Sequence, residues 1–454
     1  MDLAELVTDR TPAGIAATLA RLIRSGEIAA DERMPTVRDV AAQLRVSPGT
    51  VSGAWHALAE AGLVRTRGRA GTFVLSQRST WLPPRYRDLA AGDQVPYRID
   101  LSSGTPDPQL LPPLGVAFAR LARRTQGATT SSYLGPALIA PLERRLRADW
   151  PFVPEALTVV DGAMDGLSRV LELRVRLGSR VAVENPSFPP FYDLLDHLGA
   201  QTLGVDVDEH GMRPDGLARV LDDGPGVVLL QPRAHNPTGA SLTAARAAEL
   251  ADVLRRHSRG RDVLVVEDDH SGSICQAPDV SLGTHLPGQV VHVRSFSKSH
   301  GPDLRIAAMS APADLMRDVV ARRMLGPGWT SRMLQEVLLE LLTDSTVRET
   351  VAQARNAYAL RQREVSRAVR AAGAELRAGD GINMWLPVTD ERAATVHLAA
   401  LGIRCAPGAP FTTSTPSTPS TPKRPGGHLR ISLGQVRHGY EEVGTALGVA
   451  AQQR

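Results

Sequence analysis

Lysine is almost absent from this chain. Of its 52 basic residues only Lys298 and Lys423 are lysines, and all the others are arginines. A lysine amine can lose its proton and condense with a carbonyl group, whereas an arginine stays protonated and is a poor nucleophile. Lys423 lies in a repetitive Ser-Thr-Pro tract, where it is interpreted as a solvated charge. Lys298, in RSFSKSHGPDLR (294–305), is either a surface lysine retained by chance or a site of carbonyl chemistry.

Other residues that could do chemistry follow apolar, β-rich runs. After LTVV comes DGAMDG, a glycine-containing turn that leads into a helix, where backbone amides can bind a phosphate. After three further runs come an amide, carboxylates, a histidine, hydroxyls, the lysine and an arginine: Asn236, Asp268, Asp269, His270, Ser295, Ser297, Lys298 and Arg305.

The elements that must position this set begin at about residue 99, where apolar runs alternate with helical stretches. The runs are LTVV at 157, RVAVE at 180, GVVLLQP at 226, DVLVVED at 262, QVVHVRS at 289 and LRIAAMS at 304. Continuous apolar strands separated by helices predict a mostly parallel sheet that is covered on both faces. Ligands bind at the carboxyl ends of such strands, so the polar set is expected along one edge.

The polar set matches the requirements of pyridoxal phosphate. A lysine forms a Schiff base with this cofactor, a carboxylate keeps its ring nitrogen protonated, and an amide holds its ring hydroxyl. Hydroxyls, amides and an arginine bind its phosphate. NPTG alone is a common turn, and an aspartate after a strand is more often structural. The joint order and the scarcity of lysine favour the cofactor, so Lys298 is predicted to be the cofactor lysine.

The first 75 residues predict a different kind of domain. Apolar residues recur on one face of a first helix, and Thr36 and Ser47 are the expected N-caps of two more helices. LVRT, a turn at RGRAG and TFVL then form a small hairpin. This order predicts a winged helix-turn-helix. A proline-rich linker is expected at 79–98, and a low-complexity loop at 412–422.

Length and composition limit the possible classes of protein. A chain of 454 residues predicts two or three domains, and 43% hydrophobic with 22% charged residues is typical of a globular protein. Cys275 and Cys405 are too few for a disulfide framework or a metal-ligand cluster. The N-terminus lacks a signal-peptide pattern, and no apolar run approaches the length of a membrane span, so a cytoplasmic location is expected. A net charge of +4 means that any nucleic-acid binding must come from a local patch.

From about residue 99 to its end, the chain resembles the fold-type I aminotransferases. The resemblance rests on four segments, HNPTG (235–239), EDD (267–269), SFSKSHGPDLR (295–305) and HLRISLG (428–434). It implies an α/β transferase fold with a smaller α+β C-terminal subdomain. It also implies that Lys298 holds pyridoxal phosphate as an internal aldimine, that Asp268 faces the pyridine nitrogen, and that Asn236 bonds the ring hydroxyl.

The same resemblance implies further contacts. The phosphate would be held by Ser295, Ser297, Arg305 and the backbone of Ala163 and Met164. Phe188 would stack on the ring, Arg430 would grip an α-carboxylate, and Tyr133 would reach the phosphate of a second subunit, which implies a homodimer. The chain departs from the family pattern at two positions of the site. His270 replaces a tyrosine near the ring hydroxyl, where it either alters the cofactor or only fills the slot, and Met164 replaces a glutamine near the phosphate.

The N-terminal domain resembles the GntR-type winged helix through MPTVRDVAAQLRVSPGTVSGAWHALAEAGLVRTRGRAGTFV (34–74). Placed before an aminotransferase-like domain, it makes the chain resemble the MocR family of bacterial transcription regulators. In that family the second helix of the motif binds the major groove and the wing lies on the DNA backbone. The implied contacts with double-stranded DNA are Arg38, Ser47, Thr50, Ser52, Arg65, Arg67 and Arg69.

Two alternatives bear on this DNA-binding role. Residues 1–80 carry ten arginines and eight acidic residues, a net charge of only +2, and Pro48 and Gly53 replace arginines common in relatives. The domain could therefore serve only in dimerisation, but RTRGR on the wing favours contact with phosphates.

The expected boundaries are 1–78 for this domain, 79–98 for the linker and 99–454 for the cofactor domain. Its large part is expected at about 130–325 and its small part at about 345–454.

Two functions remain open on sequence alone. In the first, the protein is a transcription regulator that senses a small amine or amino acid, or pyridoxal phosphate itself, through external aldimine formation at Lys298. In the second, it is an active aminotransferase with an accessory DNA-binding domain. In relatives that respond to GABA, an arginine lies two residues after the stacking aromatic. Pro190 occupies that position here, which disfavours GABA as the ligand.

Overall fold

The computed structural model describes residues 3–24, 27–29, 31–60, 63–66, 71–74, 83–86, 97–124, 133–413 and 427–453. The chain divides into two compact units, Met1–Pro83 and Pro84–Arg454. Each has its own hydrophobic core. Within the described ranges, no helix is both long enough and apolar enough to cross a bilayer.

The first unit is a winged helix-turn-helix, as the sequence predicts. Its elements are α1 (Leu3–Leu6), α2 (Pro12–Arg24), α3 (Val37–Leu44), α4 (Pro48–Glu60), β1 (Val64–Thr66) and β2 (Thr72–Val74). The Thr36 side chain accepts a hydrogen bond from the Asp39 N–H, and Ser47 Oγ accepts one from the Thr50 N–H at 3.1 Å, so both predicted N-caps form. Strands β1 and β2 pair antiparallel, with Val64 opposite Val74. Arg67, Arg69 and most of the predicted linker lie outside the described residues.

The second unit is built on a mixed sheet. In chain order its strands are β4 (Ala156–Val160), β5 (Arg180–Asn185), β6 (Gln201–Asp208), β7 (Gly211–Met212), β8 (Val227–Leu230), β9 (Leu264–Asp269), β10 (Val290–Ser295) and β11 (Ala307–Ala311), preceded by β3 (Ile99–Asp100) outside this sheet. The spatial order is β4-β11-β10-β9-β8-β5-β6-β7. Neighbouring strands from β10 to β6 run parallel, whereas β11 is antiparallel to both β10 and β4. The predicted mostly parallel sheet is confirmed.

Both faces of this sheet are covered. Val227 and Leu229 of β8 belong to one hydrophobic cluster, and Val228 and Leu230 belong to another on the opposite face. All four residues of β8 are apolar, because successive side chains point to opposite faces and both faces are buried. The helices of this part are α5 (Gly115–Arg124), α6 (Ala140–Ala148), α7 (Ala163–Arg174), α8 (Pro189–His197), α9 (Pro214–Asp222), α10 (Ala244–Arg256), α11 (Ala313–Met324) and α12 (Arg332–Thr343).

A smaller α+β subdomain follows. Its elements are α13 (Ser345–Ala371), β12 (Asn383–Val388), α14 (Glu391–Ala400), β13 (Ile403–Arg404), β14 (Ala406–Pro407), β15 (Gly427–Ser432) and α15 (Tyr440–Ala451). Strand β15 lies between β12 and β14. Strand β3 pairs with β13, and Leu101 is fully buried in the same core, so a segment near residue 100 also belongs to this subdomain. This segment supplies part of the cavity wall described below.

Candidate cofactor and ligand site

A cavity of about 490 Å³ lies at the carboxyl ends of the central strands, within the second unit. Strands β4, β8, β9 and β10 each lead into the loop or helix that supplies part of its wall. This is the edge at which the polar residues were expected to meet. Eleven of the predicted site residues line it: Ala163, Met164, Phe188, Asn236, Asp268, His270, Ser295, Ser297, Lys298, Arg305 and Arg430.

Lys298 reaches into this cavity from the turn after β10. Its Nζ donates a hydrogen bond to the carbonyl oxygen of Gly104, which is 194 residues away in sequence. Burial, together with the positive charge of Arg430, lowers the pKa of the lysine to about 8, although Asp268 acts in the opposite direction. An amine with this pKa is partly neutral near physiological pH, and the neutral amine is the nucleophile.

Asp268 and Asn236 present unpartnered oxygen atoms to the same space. Asp268 is 2% exposed, and its Oδ2 accepts a hydrogen bond from Gln231 Nε2 at 2.8 Å. Among the described residues, Asp268 Oδ1 and Asn236 Oδ1 have no hydrogen-bond partner. Burial raises the pKa of the Asp268 carboxyl to about 7. Buried polar atoms are normally paired, so both oxygens fit a ligand that donates hydrogen bonds, as a protonated pyridine ring and its hydroxyl would.

Gln231 is a residue of the site that sequence reasoning missed. It follows β8 directly, is 1% exposed, and bonds the backbone N–H of Asn236 through its Oε1 at 2.8 Å. The same side chain therefore positions Asn236 and Asp268. Its only sequence signal is its place in GVVLLQP at the end of an apolar strand, because an uncharged amide has no other mark of function.

The N-terminus of α7 and Arg305 form the cradle expected for a phosphate. Gly162 has a φ of +100°, and a Cβ at this position would lie 2.3 Å from Arg305 Nη2. Only glycine therefore lets the guanidinium lie against this turn, where Nη2 donates to the Asp161 carbonyl oxygen at 3.0 Å. The backbone of Ala163 and Met164 begins the helix beside it. A helix N-terminus together with an arginine is suited to bind an anion.

Arg430, on β15, is a buried cation with unused hydrogen-bond donors. It is 4% exposed, and its Nη2 donates to the Ser102 carbonyl oxygen at 2.6 Å. Its Nε and Nη1 have no partner among the described residues. Burial lowers its pKa to about 10, so it is still charged at neutral pH. A buried guanidinium with free N–H groups fits a carboxylate of a bound ligand.

His270 and Phe188 complete the ring region. His270 Nε2 lies 2.9 Å from Ser271 Oγ. Burial and the nearby Lys298 lower the pKa of His270 to about 4, so the imidazole is neutral at physiological pH. The Phe188 ring borders the cavity and meets the Tyr86 ring edge-on, with centroids 6.4 Å apart. Tyr86, like Asn383 and Arg404, lines the cavity without having been predicted.

Asp269, adjacent to Asp268, serves a different purpose. Although burial acts to raise its pKa, the charge and hydrogen bonds of Arg233 hold that pKa well below its usual range. Arg233 Nε donates to Asp269 Oδ1 at 3.1 Å, and Arg294 Nε lies 3.7 Å from Oδ2. Asp269, Asp279 and His292 have potential ligand atoms within 4.8 Å of one another, but both arginines also pair with Asp279. The charges of the two carboxylates, Asp269 and Asp279, are thus balanced by those of the two arginines.

The structure does not bring every predicted residue into the cavity. Tyr133 is not among the described residues that line it, is 84% exposed, and lies with its ring 6.2 Å from that of Trp329. In the first unit Arg38, Ser52 and Arg65 are exposed. Thr50 is partly buried, and Ser47 Oγ is engaged by the backbone N–H of Thr50.

Comparison with known proteins gives a consistent result for both units. Residues 97–443 match the family "Aminotransferase class I and II", and residues 11–74 match "Bacterial regulatory proteins, gntR family". The chain is 35% identical over 410 residues to the vitamin B6 salvage pathway transcriptional repressor PtsJ of Salmonella typhimurium, a match that covers 90% of this chain and 93% of that protein. It is 29% identical to the HTH-type transcriptional regulator TauR of Rhodobacter capsulatus, over 86% of this chain and 87% of that protein.

Among solved structures, LysN, an alpha-aminoadipate aminotransferase from Thermus thermophilus, has the same fold. The TM-score is 0.70 at 22% identity, and the match covers 87% of this chain and 98% of the LysN chain. At this identity the similarity concerns the fold alone.

Proposed function

The chain belongs to the MocR family of bacterial transcription regulators, and from this premise we propose how its two units divide the work. The first unit binds double-stranded DNA. The second holds pyridoxal phosphate at Lys298 and senses a small amine or amino acid, or the cofactor itself. Binding to chromosomal DNA would place the protein in the bacterial cytoplasm.

The observation that carries this proposal is the set of unpartnered polar atoms around Lys298. Asp268 Oδ1, Asn236 Oδ1 and two nitrogens of Arg430 are buried without partners among the described residues. Leaving such atoms unpaired costs about 1–3 kcal/mol each, which a ligand with matching groups would recover. The donor and acceptor types correspond to a protonated pyridine ring with its hydroxyl and to a carboxylate.

When bound, pyridoxal phosphate supplies an aldehyde that condenses with amines. The residues of this chain supply the other groups that the chemistry requires. Lys298 offers a partly neutral amine, Asp268 holds a proton at the ring nitrogen, and Gln231 keeps that carboxylate in place. Arg430 then selects amines that carry a carboxylate. Differential affinity of such an amine for two states of the protein is what would change DNA binding.

Pyridoxal phosphate itself is the signal that the comparisons favour. PtsJ, with 35% identity over 90% of this chain, is named as a repressor of the vitamin B6 salvage pathway. By this likeness the protein would adjust the supply of vitamin B6 to the amount of cofactor bound. The apo and loaded forms would then differ in their affinity for DNA.

The cofactor site can be tested with the only two lysines of the chain. The full-length protein is mixed with pyridoxal phosphate, reduced with borohydride and digested, and the modified peptide is identified by mass spectrometry. The cofactor mass is expected on the peptide with Lys298, and Lys298→Ala should remove it, while Lys423→Ala serves as the matched control. Modification of Lys423 alone would refute the assignment.

DNA binding is tested with DNA from upstream of the gene and a scrambled duplex of equal length. Each is titrated with apo and loaded protein over a series of salt concentrations. Preferential binding is expected, and Arg65→Ala should weaken it and lower the salt slope by about 1 if the wing contacts one phosphate. Arg98→Ala, at an exposed arginine of the second unit paired with Glu442, is the control. Equal, weak binding of both duplexes would contradict the proposal.

A homodimer belongs to the same proposal. Tyr133 is highly exposed and absent from the described lining of its own cavity, as a side chain donated to a neighbouring subunit would be. Sedimentation should give twice the mass of the chain, and Tyr133→Phe should weaken the binding of pyridoxal phosphate. A loaded monomer would exclude the donation.

The alternative is an active aminotransferase with an accessory DNA-binding domain. It is supported by the presence of Lys298, Asp268 and Arg430 in one cavity. Incubating the loaded protein with amino acids and 2-oxo acids distinguishes the two. Multiple turnovers together with an absence of specific DNA binding would favour the enzyme. Specific DNA binding that changes with the ligand would favour the regulator.

A further inference from the structure

One wall residue of the cavity comes from the segment that directly follows the DNA-binding unit. The first unit ends at Pro83, and residues 84–86 are helical. Tyr86, the third residue after this boundary, lines the cavity with Phe188 and Arg430. Its ring meets that of Phe188 at an interplanar angle of 75°. A ligand bound between Phe188 and Arg430 would therefore share its cavity with Tyr86.

Arg85 fastens this segment to α8. Its backbone N–H donates to Asp193 Oδ2 at 3.2 Å, and its Nη1 donates to Asp196 Oδ2 at 2.7 Å. The guanidinium carbon lies 5.0 Å from the centre of the Tyr192 ring. Asp193 has a side chain only 6% exposed, so its interaction with Arg85 is better shielded from solvent than that of Asp196, which is 60% exposed.

The same helix carries the aromatic residue of the cofactor site. Phe188 is the N-cap of α8, and Asp193 and Asp196 lie farther along it. Tyr86 and Arg85 thus contact one helix at two points, one inside the cavity and one outside. Phe188 and residues 84–86 are therefore linked directly, by the contact between the Tyr86 and Phe188 rings and by the ion pairs of Arg85 with α8.

We propose that Tyr86 is a specificity-determining residue of the ligand pocket and that ligand occupancy changes the position of residues 84–86. This change depends on the ion pairs of Arg85 with Asp193 and Asp196, which are called the Arg85 clamp below. This inference rests on the proposed function, since it assumes a ligand at Lys298. Residues 84–86 would then connect the pocket to the DNA-binding unit, which they directly follow in sequence. Ligands with a large side chain would press on Tyr86, and small ones would leave it in place.

Hydrogen exchange on the full-length protein tests the contact without any substitution. Peptides that contain residues 84–86 and Lys298 are followed in the apo protein, with pyridoxal phosphate, and with pyridoxal phosphate plus L-alanine or L-tryptophan. Both peptides should change their exchange rates on loading, by about 3-fold or more at 84–86. A response at Lys298 with none at 84–86 in any state overturns the inference alone. No response at Lys298 overturns the proposed cofactor site.

Substitution separates binding from response. Arg85→Ala should leave the affinity for pyridoxal phosphate within about 2-fold but remove most of the ligand-dependent change in DNA affinity. Arg98→Ala, which removes an exposed ion pair with Glu442, is the matched control and should retain the full response. An unchanged response in Arg85→Ala would refute the clamp.

Tyr86 is tested by the size of its side chain. Tyr86→Ala should weaken the binding of L-tryptophan and of L-alanine to the loaded protein by different factors. The affinity for the ligand that binds more tightly should fall by about 3- to 10-fold, as expected for the loss of an aromatic contact. Tyr86→Phe keeps the ring and should behave as the wild type. The same ratio of the two affinities in all three proteins would show that Tyr86 is not a specificity residue.

Discussion

Replacing Asp268 with asparagine is expected to stabilise the cofactor-free protein at alkaline pH while weakening its affinity for pyridoxal phosphate. The carboxyl is 2% exposed, and burial raises its pKa from 3.8 to about 7. The folded protein therefore binds this proton more tightly than the unfolded chain does. The contribution of Asp268 to stability therefore falls as the pH rises from the unfolded pKa to about 7, and is constant beyond it.

The size of the effect follows from the distance between the two pKa values. About three pH units at about 1.4 kcal/mol each correspond to about 4 kcal/mol at pH above 7. Between about pH 5 and about pH 8, the ionisation of Asp268 lowers the free energy of unfolding by a further amount of about 3 kcal/mol. For a unit as large as the second unit of this chain, that change corresponds to about 3–4 °C in Tm. Asp268→Asn cannot ionise, so its advantage over the wild type should increase by that amount.

The cofactor should respond in the opposite direction. Asparagine cannot supply the negative charge opposite a protonated ring nitrogen, and a hydrogen bond between charged groups contributes about 1.5–3 kcal/mol. The dissociation constant for pyridoxal phosphate should therefore rise by about 10- to 100-fold. Absorbance titration measures this constant, and thermal unfolding of the apo proteins at the two pH values measures the stability.

Asp269→Asn is the matched control, because Asp269 is equally buried but is held ionised by Arg233. Removing one partner of a buried ion pair costs about 3–5 kcal/mol, so this variant should have a lower Tm at both pH values. The reasoning on Asp268 would be refuted if the difference in Tm between wild type and Asp268→Asn were the same at both pH values.

Three further predictions follow from the site. The rate of covalent attachment of pyridoxal phosphate should rise with pH and reach half its maximum near pH 8. The reason is that the pKa of Lys298 is lowered to about 8 and only the neutral amine reacts. Stopped-flow absorbance measures this rate, and a rate independent of pH would contradict the prediction. Arg430→Leu should reduce the affinity of the loaded protein for amino acids by about 10- to 100-fold, because a charged hydrogen-bond donor is lost. Its affinity for the cofactor should change little. Spectral titrations with L-alanine and with the cofactor measure the two affinities. Gly162→Ala should destabilise the protein by about 1–3 kcal/mol, because a φ of +100° strains the backbone of any residue with a Cβ. It should also weaken phosphate binding, because the Cβ would displace the Arg305 guanidinium. Calorimetry and titration with pyridoxal phosphate measure the two effects, and wild-type values of both would refute the reasoning.

Local signals in the sequence were sufficient for most of the fold. The N-caps Thr36 and Ser47 use hydrogen bonds to residues three positions away, which a short stretch of sequence can specify. The central strands β8, β9 and β10 each begin with an apolar run, because both of their faces are buried. Strand β6 (Gln201–Asp208) was missed for the converse reason. Near the edge of the sheet it is only partly buried, so QTLGVDVD has no continuous apolar run.

The chemistry of the site was predictable where a residue type is both rare and necessary. Lys298 stands out because arginine occupies almost every other cationic position and cannot replace a nucleophilic amine. The strand-end positions of Asn236 and Asp268 then follow from the rule that parallel strands present their carboxyl ends at one edge. The sequence by itself thus determined the class of fold and the candidate cofactor.

Only the tertiary structure decided which neutral residues complete the site and how the charged ones are tuned. Gln231, Tyr86 and Asn383 carry no distinctive signal in sequence, and they enter the cavity because distant segments pack together. The two neighbouring carboxylates Asp268 and Asp269 differ in pKa because one meets an uncharged amide and the other an arginine. Burial and the presence or absence of a partner depend on the arrangement of the whole unit, which no local pattern of residues contains.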